Sequence, residues 1–155
     1  MFVFTVLMHL LIAKLMINIL VLSTANSCRS QMAEGFLKNA IDSSKATVFS
    51  AGITPKPVNP RTIAIMEEDD IDISNQKSKS IGDVSEHHFD FIITLSNDTQ
   101  KKHASISQSA KNIHYEFPDP AEVEGDENDI YSQFLTVREM IKMFCEDFVE
   151  ENKLD

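Results

Sequence analysis

Ser23-Thr24-Ala25-Asn26-Ser27-Cys28-Arg29-Ser30 is the stretch of this chain whose residue types could do chemistry. A run of residues 17–22 that is apolar except at Asn18 feeds it, and an amphipathic helical pattern follows it. Such a strand–loop–helix junction aims backbone N–H groups and the positive end of a helix dipole at one point. Arg29, in the first helical turn, adds a planar guanidinium whose fork matches two phosphate oxygens. The hydroxyl of Ser23 can both donate to and accept from a bound oxyanion. The stretch is therefore expected to hold a phosphate-like anion.

The surrounding elements must position that loop. Strand-like and helix-like patterns alternate, which predicts a layered α/β domain with a parallel sheet. Residues 17–22 form a buried central strand on this reading. A helix over about 29–40 follows, with Met32, Phe36, Leu37 and Ala40 on one face. Residues 47–51 form a second strand closed by Gly52. Asn59 caps a helix that begins at Pro60. Residues 71–74 form a short extended piece before a polar linker, and residues 89–95 the third buried strand. Residues 98–110 are expected to be a weakly amphipathic helix, and 112–116 a last short strand. A long helix over 126–150 turns Phe134, Val137, Met140, Ile141, Phe144 and Phe148 inward.

Composition narrows the function. The chain has 155 residues, 43% hydrophobic and 25% charged, which is enough for one ordinary globular domain. A net charge of −10 would repel a phosphate backbone, so no nucleic-acid partner is expected. Cys28 and Cys145 offer neither a disulfide framework nor metal-ligand spacing, and the five histidines lack a zinc pattern. The pair His87-His88 is read as solvated surface. No metal or cofactor is assigned, and a reducing cytoplasmic compartment is expected. Residues 1–13 are nearly all apolar and end at Lys14, too short for a confident membrane span and without the marks of a secretory signal. Residues 1–15 are therefore read as an extension, one that an upstream start codon would produce, outside a domain of residues 16–155. A membrane anchor is the disfavoured alternative.

The loop also resembles the active-site loop of the low-molecular-weight protein tyrosine phosphatases and the related thioredoxin-coupled arsenate reductases. That family carries Cys-Thr-Gly-Asn-Ser-Cys-Arg-Ser-Gln-Met-Ala-Glu-Gly at the end of its first strand. This chain matches it from Thr24 to Gly35 except at Ala25, and Ser23 stands where the family has its nucleophilic cysteine. Val48-Phe49-Ser50-Ala51-Gly52-Ile53, Val58-Asn59-Pro60, Ile71-Asp72-Ile73-Ser74, Phe91-Ile92-Ile93-Thr94 and Phe117-Pro118-Asp119-Pro120-Ala121 follow in family order. They resemble the arsenate reductase branch more than the eukaryotic phosphatases. The resemblance implies a three-layer, doubly wound, four-stranded parallel sheet with the anion loop at the carboxyl end of the first strand.

The resemblance also assigns roles. It makes Ser23 the replaced nucleophile, Arg29 the charge clamp and Asp119 the general acid. Thr24, Ala25, Asn26, Ser27, Cys28, Arg29 and Ser30 form the oxyanion cradle. Asn26 holds the loop's shape, and Ser30 bonds the residue at position 23. If the backbone at Ala25 is left-handed, as a glycine would allow, alanine costs about 1 kcal/mol there. Cys28 matches a family cysteine that is not the nucleophile and is read as a small, partly buried thiol; Cys145 is read as packing. The two relay cysteines of the reductase branch fall at Ser96 and at His103 or Ala104, so the thiol relay to thioredoxin is lost. Loss of all three redox cysteines fits either a degenerate paralogue or deliberate cysteine removal. Some members of the family hold a monovalent cation behind the loop, where Asn26, Glu34 and Ser50 could contribute.

The leading expectation is thus a domain that binds phosphate, arsenate or a phosphorylated small molecule or peptide, with turnover impaired because a serine hydroxyl ionises far less readily than a thiol. Two alternatives stay open. One is an active phosphatase or arsenate reductase with an unorthodox nucleophile; the other is a non-catalytic protein-interaction module.

Overall fold

The computed structural model describes residues 2–155, without the side chains of residues 10–15, 103 and 104. Four parallel strands, β1 (Ile17–Ser23), β2 (Ala46–Gly52), β3 (Phe91–Thr94) and β4 (Lys111–His114), form one sheet in the order β2-β1-β3-β4. The first strand is therefore paired on both sides, and Ile19, Leu20, Val21 and Leu22 are all fully buried. Residues apolar on both faces suit a strand covered on both faces.

Helices α2 (Arg29–Ala40), α3 (Pro60–Glu67) and α7 (Glu127–Glu151) build the larger core, with Met32, Phe36, Leu37, Phe134, Val137 and Ile141 interlocked. A smaller core of Leu20, Leu22, Ala51, Val84, Phe89 and Ile92 fills the opposite face. Asn59 caps α3 as expected, accepting from the Arg61 N–H at 2.9 Å with Pro60 at the first helical position. Asp126 caps α7 in a reciprocal capping box with Asp129. Met140 and Phe144 are only partly buried, flanking the seam rather than filling it.

Three expectations need correction. The helix anticipated over 98–110 is two single turns, α5 (Asn97–Gln100) and α6 (His103–Ile106), followed by bends. Ser105 donates to the Lys102 carbonyl and Ser107 pairs with Ser109, local bonds that compete with a helix lacking a strong apolar stripe. Residues 71–73 are neither helical nor turned and join no ladder, and the Asp72 carboxylate, accepting from Ser74 N–H at 2.8 Å, then turns the chain, with Ile73 buried against Gly35. A short helix, α4 (Ile81–Val84), stands in the expected linker, set by the Ser80–Asp83 capping box. His87, read as solvated, stacks on Phe49 with centroids 4.4 Å apart, while remaining exposed.

Residues 2–15 form helix α1 (Phe2–Leu15). Phe2, Val3, Phe4, Val6, Leu7 and Met8 are each more than half exposed, and residues 2–9 belong to neither core. Among the described residues no helix is long and apolar enough to cross a membrane.

Candidate functional site

The loop between β1 and α2 turns its carbonyl groups outward. Thr24 O accepts from Thr54 N at 2.9 Å, Ala25 O from Lys56 N at 3.0 Å and Ser27 O from Asn59 N at 3.1 Å. Asn26 O accepts from the Gln31 side-chain amide at 3.1 Å. A trans peptide carries its N–H opposite its C=O, and no cis bond occurs here. The N–H groups of Ala25, Asn26, Ser27 and Cys28 therefore face the loop interior, at the N-terminus of α2, which is the arrangement that favours an anion.

Asn26 shapes the loop from within. Its backbone is left-handed (φ 47°), a conformation asparagine tolerates better than most residues. The strain anticipated at Ala25 is absent, because the left-handed residue is its neighbour. Both protons of the Asn26 amide are donated, to Ser30 Oγ at 2.8 Å and Ser50 Oγ at 2.9 Å, while its oxygen accepts from Lys79 N–H at 2.8 Å. Ser30 Oγ lies 2.6 Å from Ser23 Oγ, as the resemblance implied. Since Ser30 already accepts from Asn26, its own proton is available for Ser23. Ser23 is 2% exposed, and either hydroxyl of the pair could be the donor. No carboxylate or imidazole bonds Ser23 Oγ among the described residues.

Arg29 is 7% exposed and fixed at the edge of the loop. One terminal nitrogen donates to Phe117 O at 3.0 Å; the other reaches Thr24 Oγ1 and Asp119 Oδ2, each at 3.4 Å. The second carboxylate oxygen of Asp119 caps the 3-10 turn Pro120–Glu122 through Ala121 N–H. Ser23, Arg29, Asp119 and Lys56 line a cavity of about 160 Å³ over the loop, and a wider groove of about 700 Å³ opens beyond Thr24 and Arg29. The resemblance-based trio of Ser23, Arg29 and Asp119 thus comes together, on three separate segments.

Asp98 is a participant that sequence reasoning passed over. Its Oδ1 accepts the Thr24 hydroxyl at 3.0 Å. Burial pushes its carboxyl up, but the Ser96 and Thr24 hydroxyls, Arg29 and the Thr99 N–H together outweigh that and hold it below the ordinary range. Ser96 sits beside it, buried, bonding Thr99 Oγ1 at 3.0 Å, where the resemblance placed the first relay thiol. The second relay position, His103 or Ala104, begins α6, and its side chains lie outside those described. Cys28 is buried near the cavity, and burial pushes its thiol up, against smaller opposing effects of the Thr62 and Ser27 hydroxyls. Cys145 is fully buried in α7, 3.9 Å from Ala33 O, and its thiol is raised further by burial.

Fold and loop define a parallel α/β domain with a strand–loop–helix junction at the end of a strand paired on both sides. The sequence pattern of the low molecular weight phosphotyrosine protein phosphatase family matches residues 18–155, and this chain belongs to that family. It is 41% identical over 120 residues to an arsenate reductase of Oceanobacillus iheyensis, covering 77% of this chain and 86% of that one. A solved arsenate reductase in the phosphate-binding state superposes with a TM-score of 0.75 at 30% identity, covering 90% of this chain and 99% of its own. The YwlE arginine phosphatase, as a mutant with a phosphorylated active-site serine, shares the fold with a TM-score of 0.71 at 18% identity, covering 90% and 97%.

Proposed function

We propose that residues 16–155 form an oxyanion-binding domain of the arsenate reductase and phosphatase type, with residues 1–15 outside it, and that its catalysis is impaired at the nucleophile. The observation that carries the reading is the 2.6 Å Ser23–Ser30 hydroxyl contact: a hydroxyl with no base bonded to it ends β1, beside a loop whose carbonyls are tied to residues 54–59 and whose edge is held by Arg29. Phosphate or arsenate would lie on the N–H groups of residues 24–30, clamped by Arg29. The phosphate-binding state of the related arsenate reductase supports that choice of ligand.

A thiol at this position ionises in the positive loop and attacks phosphorus, and the leaving oxygen then takes a proton from Asp119. A serine hydroxyl starts several pH units less acidic, and its alkoxide stays scarce even here. Reduction of arsenate further needs thiols that exchange, whereas Ser96 and His103 cannot, and Cys28 and Cys145 are buried with raised pKa values. Thioredoxin is therefore not a partner on this reading. Two free buried cysteines suit a reducing, cytoplasmic compartment.

The decisive experiment pairs the unaltered chain with Ser23→Cys. Phosphate and arsenate should raise the melting temperature of the unaltered chain, since a ligand of the folded state must stabilise it. Aryl-phosphate turnover should appear only in Ser23→Cys under reducing conditions, and Arg29→Ala should abolish it. Turnover by the unaltered chain that vanishes with Arg29→Ala would establish the active-enzyme reading instead. The phosphorylated serine of the YwlE mutant gives that reading a definite form, transfer of one phosphoryl group to Ser23, which intact-mass analysis would detect. No thermal response to either oxyanion would favour an interaction module.

A further inference from the structure

Behind the loop, on the side away from the cavity, lies the carboxylate of Glu34, 5% exposed. A buried carboxylate needs a compensating positive charge. The family resemblance would place a monovalent cation here, among Asn26, Glu34 and Ser50. The residues present do not fit one. Lys38 Nζ lies 2.5 Å from Glu34 Oε1, and Lys79 Nζ lies 3.9 Å from Oε2, the oxygen that also accepts the Ser50 hydroxyl. Both carboxylate oxygens thus already face ammonium groups of the chain itself. Lys79 does more than balance charge. Its N–H holds the Asn26 side-chain oxygen, its carbonyl accepts from Gly52 N at 2.8 Å, and its ammonium donates to Lys77 O at 2.8 Å.

We propose that the Lys79 ammonium is a built-in substitute for a bound monovalent cation, a positioning group that acts on the oxyanion cradle through Glu34, Ser50 and Asn26. The path is continuous: Lys79 faces Glu34, Glu34 accepts from Ser50, and Asn26 donates to both Ser50 and the Ser30 that contacts Ser23. Lys38 meets the other carboxylate oxygen, with half of its own side chain in solvent. The consequence is a cradle whose affinity does not depend on potassium. The inference rests on the proposed oxyanion site, and its test separates the two.

Lys79→Met keeps the backbone N–H that holds Asn26 and removes only the ammonium. Melting temperatures are compared in potassium and in tetramethylammonium chloride at equal ionic strength, with and without inorganic phosphate. The unaltered chain should behave alike in both salts. Lys79→Met should be stabilised by potassium over tetramethylammonium even without phosphate. Its phosphate response should fall at least tenfold in tetramethylammonium and recover in potassium, while Lys79→Arg stays potassium-independent. Potassium dependence in the unaltered chain, which needs no variant to fold, overturns the inference. So does a folded Lys79→Met that shows no potassium preference. Absence of a phosphate response in the unaltered chain overturns the functional reading alone, because the phosphate-free comparison still judges Lys79.

Discussion

At the scale of single residues, the cradle is tuned by groups around the ligand position as much as by those under it. Asp98 receives the Thr24 hydroxyl while Arg29 donates to the same oxygen, which orients Thr24 at the rim but sets a negative charge beside an anion site. Asp98→Asn should bind phosphate several-fold more tightly at low ionic strength, and added salt should shrink the difference. Equal affinity in titrations at both ionic strengths would mean that the charge is screened. Its depressed pKa also fixes a sign: the carboxylate's contribution to stability is present above the unfolded pKa, near 4, and is lost as pH falls through the folded value. Gly52 acts from behind. A Cβ there would lie 2.8 Å from Asn26 N and 2.9 Å from the Ala25 carbonyl carbon, so the loop would have to shift. Gly52→Ala should cost about 1–3 kcal/mol in urea unfolding and weaken the phosphate response as well.

Among the elements, what was legible in the sequence is what the chain encodes contiguously. Strand β1, the loop and α2 follow one another, so their pattern names all three, and Asn59-Pro60 marks the start of α3 through local capping alone. Asp119 carried little weight until the resemblance supplied its role, because an Asp before Pro is a common turn starter. Lys79 and Asp98 left no signal, since each reaches the loop from a segment more than fifty residues downstream and only tertiary contacts bring it there. The failed helix over 98–110 shows the converse: without a strong apolar stripe, serine hydroxyls decided the local bonds. Helix α1 holds residues 2–9 outside both cores. A chain beginning at Met16 should change in unfolding free energy by less than about 0.5 kcal/mol and self-associate less, because the exposed apolar side chains of residues 2–8 leave and residues 2–9 belong to neither core. A loss of several kcal/mol in the same unfolding experiment would make α1 part of the domain.

Across the whole molecule, the order β2-β1-β3-β4 places the first strand made at the centre of the sheet. Each side of β1 waits for a partner delivered by a later crossover, since parallel neighbours cannot be joined by a tight turn. The cradle needs more still: residues 52–59 hold its carbonyls, Lys79 its asparagine, and Phe117 and Asp119 its arginine. Contacts so distant along the chain form late in folding. On the proposed reading, phosphate would recognise the native state but not the barrier that precedes it. In stopped-flow experiments it should slow unfolding in proportion to its stabilisation and leave the refolding rate unchanged. An oxyanion would then lengthen the lifetime of the finished domain without helping a nascent one to fold.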